Sequence, residues 1–390
     1  MCREYFMKKI VIIGAGISGL FFANLLRQSK DYDITIYEKN NSINLEKGYG
    51  IQLSVNCVKL LNKIGFKNLN RLTKFNPRKL DFYSLKDKKK ICDLNISEFN
   101  TEDEKYTTLQ RSILIKFLKD KLPENLIQYN KVIKQIDKQE KIIKLTMEDD
   151  LMVECDYLIV SDGVFSSTKS LVAKRNIKNE YFNSIALRGT IDKKNFNNID
   201  FKNISLLLGS NLHSVIYAVD ESSELNFITI LRKNLTKNEL ANYSLFDDGN
   251  FLSSILKELS IQIEPNILDN IKNIKFFPIF ISNEIYDQKH EKIFIIGDAF
   301  FTFPPSFAQG AAQSIEAAYD LHNMFENDGN RFLKKISKKV KKINRRSKFN
   351  NFAFHLSSPF IVLIRNTLMS YLVKNKKFLN VYLGKIYNNK

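Results

Sequence analysis

Three short apolar runs, each delivering a glycine or an Asp-Gly pair at its end, organise the chain. Lys8–Ile13 (KKIVII) stops at Gly14; Tyr157–Val160 (YLIV) runs into Ser161-Asp162-Gly163; 292–296 (KIFII) runs into Gly297-Asp298. Runs this short and this apolar predict strands buried on both faces, as in a parallel sheet. Positions 17–29 have helical apolar spacing, and 33–37 (DITIY) predict a second strand. Strand, turn, helix and strand in close succession call for a right-handed crossover.

The middle of the chain has a different rhythm. Residues 132–136 and 142–147 alternate like the two arms of a hairpin, and 112–121 read as a helix. Ile204–Leu208, 214–219 and 225–231 predict further strands, and 309–325 predict a helix opened by small residues. The expected fold class is α/β with an α+β insert: a Rossmann-like nucleotide-binding domain on a parallel sheet, an interleaved domain on a mainly antiparallel sheet, and a helical C-terminal tail. The boundaries read as 7–75, 101–175 and 276–330 for the first domain, 76–100 and 176–275 for the second, and 331–390 for the tail. Residues 1–6 read as a short extension with no secretory character.

Charge changes this picture only at the C-terminus. Residues 331–390 hold 16 Lys/Arg and no Asp/Glu, out of 60 and 42 in the whole chain, so the preceding body is close to neutral. A basic tail on a neutral body favours an anionic surface such as lipid headgroups. It argues against nucleic acid, since the body offers no basic groove. The apolar stretch after Pro359 is interrupted by Arg365 and predicts an amphipathic or packing helix rather than a membrane span. Cys2, Cys57, Cys92 and Cys155 are scattered without metal-like spacing and read as reduced thiols, as in a cytoplasmic protein. His213, His290, His322 and His355 are isolated in sequence, and no acid–base constellation stands out.

The chemistry lies in the glycine motifs. Gly14-x-Gly16-x-x-Gly19 sits between a strand and a helix. Gly14 permits the tight turn, Gly16 lets a pyrophosphate approach the backbone, and Gly19 lets helix and strand pack closely. Ala15 lies within the loop. Glu38, at the end of the second strand and followed by Lys39, can accept hydrogen bonds from both ribose hydroxyls and would repel a 2′-phosphate. FAD or NAD therefore fits and NADP does not.

With Asp162-Gly163 and Gly297-Asp298-Ala299 following in order, then Pro304-Pro305 and Gln309-Gly310-Ala311-Ala312, the chain resembles the class A flavoprotein monooxygenases, the para-hydroxybenzoate hydroxylase-like group. Gly50-Ile51-x-Leu53-Ser54-x-Asn56 and Gln110-Arg111 belong to the same likeness, which spans roughly residues 7–330. The resemblance implies FAD as cofactor and NADH or NADPH as reductant. It also implies O₂ activation as a flavin C4a-hydroperoxide and an aromatic or apolar small-molecule substrate. By motif position Arg111 would contact the flavin, Asp298 the ribityl or pyrophosphate region, and Asp162 and Gly163 the pyrophosphate. Pro304 and Pro305 would line the flavin ring, and Gly310, Ala311 and Ala312 would open a helix facing the flavin N1–C2=O locus. Gly297 completes the set.

The chain departs from the family pattern at Phe301, Ala308 and Ala312, where histidine, glycine and asparagine are common, and at Val160-Ser161, where Gly-Ala usually precedes the Asp-Gly pair. The expected substrate pocket includes Arg188, His213, Tyr217, Phe303 and Pro304, within an aromatic cluster of Phe300, Phe301, Phe303 and Phe307. Two other readings stay open: a flavin-dependent reductase of a polyprenyl or lipid substrate, and a non-catalytic flavin-binding protein. The tail is expected to allow peripheral association with an anionic membrane.

Overall fold

A computed structural model of the chain describes residues 7–43, 45, 49–196, 199–286, 290–327 and 332–387. The extension 1–6, with Cys2, lies outside the described residues. The chain is a mixed α/β structure with a parallel sheet, separate antiparallel sheets and a helical C-terminus.

The parallel sheet has the order β17 (Ile293–Ile295), β11 (Tyr157–Val160), β1 (Lys8–Ile13), β2 (Tyr32–Tyr37), β7 (Ile127–Gln128). Every pairing in it is parallel. The three runs that end in Gly or Asp-Gly are thus neighbours, and their motifs emerge along one edge. That edge, at the carboxyl ends of the strands, is where open α/β sheets hold ligands. Helix α1 (Ile17–Leu26) follows β1 and is buried along nearly its whole length, because both the sheet and a later helix, α3 (Gly310–Asn327), pack on it. Ser18 Oγ donates to the Ser314 carbonyl at 3.1 Å and ties the two helices together.

The second large sheet has seven strands in the order β16 (Lys272–Ile281), β12 (Glu180–Asp192), β15 (Glu224–Arg232), β14 (Leu212–Ala218), β13 (Ile204–Leu208), β4 (Lys79–Ser84), β5 (Lys90–Asn95). Only β13 and β4 run parallel. A three-stranded antiparallel sheet, β8 (Ile133–Lys138), β9 (Ile143–Met147) and β10 (Met152–Cys155), is the hairpin pair read from the alternation plus one more strand. A short ribbon, β3 (Gly50–Leu53) with β6 (Thr107–Gln110), bridges the two large sheets. Helix α2 (Arg111–Lys119) leaves directly from β6.

At the ribbon the layers touch through a missing side chain. A Cβ on Gly50 would stand 2.7 Å from Val219 Cγ1 and 2.8 Å from both Asn226 Cγ and Tyr217 Cε2. The Gly50 N–H donates to Asn226 Oδ1 at 2.6 Å across the same gap.

The tail is not a separate appendage. Helix α4 (Phe332–Phe354) buries Phe332, Ile336, Val340 and Ile343, one stripe at helical spacing. Its Lys339 pairs with the buried carboxylate of Glu316 on α3, which also accepts from Asn56 Nδ2 at 2.7 Å. Helix α5 (Pro359–Leu372) follows. Arg365, the residue that interrupts its apolar run, is buried and donates to the Ala353 carbonyl at 3.1 Å, which fastens α5 to the last turn of α4. Among the described residues no helix is long and apolar enough to cross a membrane.

Candidate functional site

One cavity of about 620 Å³ runs from the glycine edge of the parallel sheet, beneath the seven-stranded sheet, to the C-terminal helices. Its two ends differ in kind.

The first end is backbone. Gly14 has φ +97°, and a Cβ there would stand 2.7 Å from the Ser161 carbonyl oxygen, so any side chain is both strained and obstructed. A Cβ on Gly19 would fall 2.3 Å from the Gly14 oxygen. Gly16 meets nothing within 4 Å on its open side and lines the cavity, as does Gly310 at the start of α3. Two helix N-termini therefore present unobstructed N–H groups to one space, which favours anionic groups there. Ser161, a departure from the usual motif, donates to the Ile13 carbonyl at 2.8 Å and to that of Gly14 at 3.2 Å, clasping the loop to β11.

Glu38 faces this loop. Its Oε2 accepts from the Ala15 N–H at 2.9 Å, and its Oε1 accepts from Asn40 N at 3.0 Å and Asn40 Nδ2 at 2.7 Å. Lys39 points to solvent away from the cavity. Asp162 accepts from the Thr168 N–H at 3.3 Å, while its Oδ1 is buried with no partner. Burial pushes its carboxyl up from the ordinary aspartate range. Gly163 lines the cavity beside it.

Asp298 and Arg111 face each other across the middle. Burial pushes Asp298 up to about 6, and the nearby Arg111 guanidinium pulls it back. Arg111 is lowered by burial and by the second cation, Arg188. An open glycine cradle, a helix N-terminus and the Asp298 and Arg111 side chains lining the same space fit a dinucleotide with a flavin at its far end.

Beyond Arg111 the walls turn apolar. Arg188 on β12 lies over the rings of Tyr49 and Phe277 at 6.0 and 5.9 Å and forms no ion pair among the described residues. Tyr217 is buried beside it, and burial raises its hydroxyl above the ordinary tyrosine range. Tyr106 donates to Gln52 Oε1 at 2.8 Å. Arg188, His213, Tyr217, Phe303 and Pro305 all line the cavity.

Several expectations need correction. Pro304 is buried but does not line the cavity; its neighbour Pro305 does. Ala312 is fully buried in the helix–sheet core, so of the helix opening only Gly310 and Ala311 reach the space. Phe300 and Phe301 also belong to that core, leaving Phe303 and Phe307 as the aromatic wall. The departures at Phe301 and Ala312 therefore remove no polar group from the cavity. Ala308 does line it, and holds φ +49°, the conformation that explains why glycine is common there.

The histidines are not all isolated. His213 Nδ1 and His355 Nε2 lie 2.7 Å apart, both buried. Burial, and then His355, drives His213 well below 6.5; burial, and then Arg232, takes His355 to about 3. The helical tail supplies much of the far wall through Phe349, Phe354, Met369, Phe378, Leu383 and Tyr387. No sequence signal marked these residues, because each comes from an ordinary apolar helix position.

Known proteins agree with this geometry. The NAD(P)-binding Rossmann-like domain family matches residues 12–45. The 6-hydroxynicotinate 3-monooxygenase of Bordetella bronchiseptica is 22% identical over 339 residues, covering 82% of this chain and 83% of that protein. The salicylate hydroxylase of Pseudomonas putida is 22% identical over 189 residues, covering 47% of this chain and 43% of its own. The chain is thus similar over most of its length to FAD-dependent monooxygenases. Its fold matches that of Klebsiella pneumoniae HpxO complexed with FAD and uric acid, with a TM-score of 0.79 at 16% identity over 97% of both chains. A salicylate hydroxylase substrate complex gives 0.78 at 16% identity, over 98% of this chain and 95% of that one. The glycine-rich end of the cavity and its apolar end are continuous in this fold.

Proposed function

We propose that this enzyme hydroxylates an aromatic or apolar small molecule, using FAD, NADH or NADPH, and O₂. The observation that carries the reading is the continuity of the cavity from the open Gly16 and Gly310 cradles to a chamber walled by apolar side chains. When bound, the flavin supplies the redox chemistry, accepting reducing equivalents from the nicotinamide and activating O₂.

The chain's own residues bind, orient and exclude water. The loop Gly14, Ala15, Gly16 and Gly19 would hold the pyrophosphate. Glu38 would exchange its bond to the Ala15 N–H for the ribose hydroxyls. Asp162, Gly163, Gly297 and Asp298 would flank the phosphates and ribityl chain. The N-terminus of α3 at Gly310 and Ala311, with Arg111, would stabilise negative charge on the reduced ring. Arg188 would orient an anionic or electron-rich oxygen of the substrate, with Tyr106 fixing the nearby ribbon through Gln52. The apolar wall would keep water from the reacting centre. The seven-stranded sheet would act as the substrate domain, and 331–390 as a third part that closes the chamber and attracts anionic lipid.

A second reading, a flavin-dependent reductase acting on a polyprenyl or lipid substrate, is favoured by the apolar contribution of the C-terminal helices to the far wall. Anaerobic spectra of the purified protein, before and after NADH or NADPH, followed by oxygen uptake with candidate phenols, test both. Substrate-stimulated oxygen uptake with an oxygenated product supports hydroxylation. Turnover that proceeds without oxygen supports the reductase. Failure to retain FAD after reconstitution overturns both.

A further inference from the structure

Helix α5 buries one face and leaves the other without a partner. Val362, Arg365, Met369 and Ser370 face inward, with Ser370 Oγ donating to the Ile91 carbonyl of β5 at 2.9 Å. Phe360, Ile364, Leu368 and Tyr371, one stripe at helical spacing, face solvent with Leu363 beside them; Phe360 is 71% exposed and Leu363 64%. A stripe of this size is not the scattered apolar exposure of an ordinary surface.

The preceding helix continues it. Lys334, Lys338, Lys341, Arg345 and Lys348 repeat at helical spacing along the exposed side of α4, and the same line ends in the exposed Phe352. Lys374, Lys376 and Lys377 are exposed just past the end of α5. An apolar strip bordered by lysines, in a segment without a single Asp or Glu, has the composition of a helix that lies in a lipid headgroup region. A second copy of this chain is the poorer partner, since it would bring an equally basic surface against this one.

The strip also adjoins the chamber. Phe349 is 62% exposed and lines the cavity, and Met369, Leu372 and Val373 line it from the inner side of α5. We infer that the exposed face of α5 docks into an anionic lipid bilayer and sets the cavity mouth, at Phe349, against the bilayer. The substrate class then follows: an apolar molecule that partitions into lipid and enters without crossing water. This assignment of a substrate rests on the flavin-enzyme reading above; the docking itself is read out without flavin.

The chain contains no tryptophan, so a single introduced indole reports from one place. The full-length Phe360→Trp, Phe349→Trp and Met152→Trp variants are mixed with phosphatidylcholine vesicles, with and without phosphatidylglycerol, some carrying brominated acyl chains. Met152 is exposed on the three-stranded sheet and serves as the control. Bromine quenching at 360 and 349, dependent on phosphatidylglycerol and absent at 152, is expected. Co-sedimentation with the same vesicles should weaken about tenfold in Phe360→Ser/Ile364→Ser/Leu368→Ser, with circular dichroism unchanged. Equal pelleting of that variant and the parent overturns docking through α5. Quenching at 360 without quenching at 349 overturns delivery from the bilayer. A concentration-dependent dimer abolished by the serine variant assigns the face to a second copy and overturns the proposal. Retained or lost FAD in the same preparations judges the flavin reading separately.

Discussion

The two ends of the cavity are built on different principles. The glycine end is made of main-chain atoms at strand and helix termini, each supplied by a short motif. The far end is made of side chains that β12, β14 and the C-terminal helices bring together from distant parts of the chain. At Gly14 and Gly19 the first has no room for an added atom. The second is defined by bulk and burial, and its apolar shape can change while the fold persists.

The strongest way to break the comparison is at Gly14. Gly14→Ala places a Cβ 2.7 Å from the Ser161 oxygen at a φ that L-residues avoid. We expect loss of bound flavin in the visible spectrum and a drop of about 3 kcal/mol in unfolding free energy. Retention of both would mean that the loop is not the rigid end.

Next comes Arg188→Met, which keeps volume and removes charge. Catalytic efficiency towards phenolate or carboxylate substrates should fall about 10- to 100-fold, mostly through KM, while flavin content stays constant. An unchanged KM would remove Arg188 from substrate recognition.

A smaller effect tests the buried imidazoles. Both are held below 6.5 in the folded chain, His355 at about 3, so the unfolded chain binds more protons as pH falls. Their contribution is complete above pH 6.5 and declines below it, by roughly 1 kcal/mol per imidazole between pH 6.5 and 5.5. Urea unfolding across that range should show the slope, and His213→Leu/His355→Leu should flatten it. The smallest effect is expected from Ala308→Gly, which relieves a positive φ and should raise stability by about 0.5–1 kcal/mol, seen as a higher Tm.

What could be read from the chain follows the same division. Lys8–Ile13 and Tyr157–Val160 announce themselves because burial on both faces leaves nothing but apolar residues, and the glycines carry a steric meaning that no tertiary context alters. The interleaving was legible too, since alternation in the middle differs from the runs at either side. His213 and His355 were not legible as a pair: 142 positions separate them, and neither has a neighbour in sequence that betrays the contact. Pro304 and Pro305 were indistinguishable as letters, yet a half-turn of backbone sends one inward and the other to the cavity. The tail misled for a related reason. Its lysines dominate the composition, while its structural work is done by Phe332, Ile336, Val340 and Ile343 on the opposite side.

Gly50 carries a consequence for how the chamber is gauged. The ribbon and the seven-stranded sheet meet there at backbone distance, with Val219, Asn226 and Tyr217 closed around the vacant Cβ position. A methyl group at this point would act as a wedge, prising the seven-stranded sheet from the ribbon. The span of the chamber's roof therefore hinges on one backbone contact, and substitutions elsewhere in the apolar wall would reshape the room without altering that span.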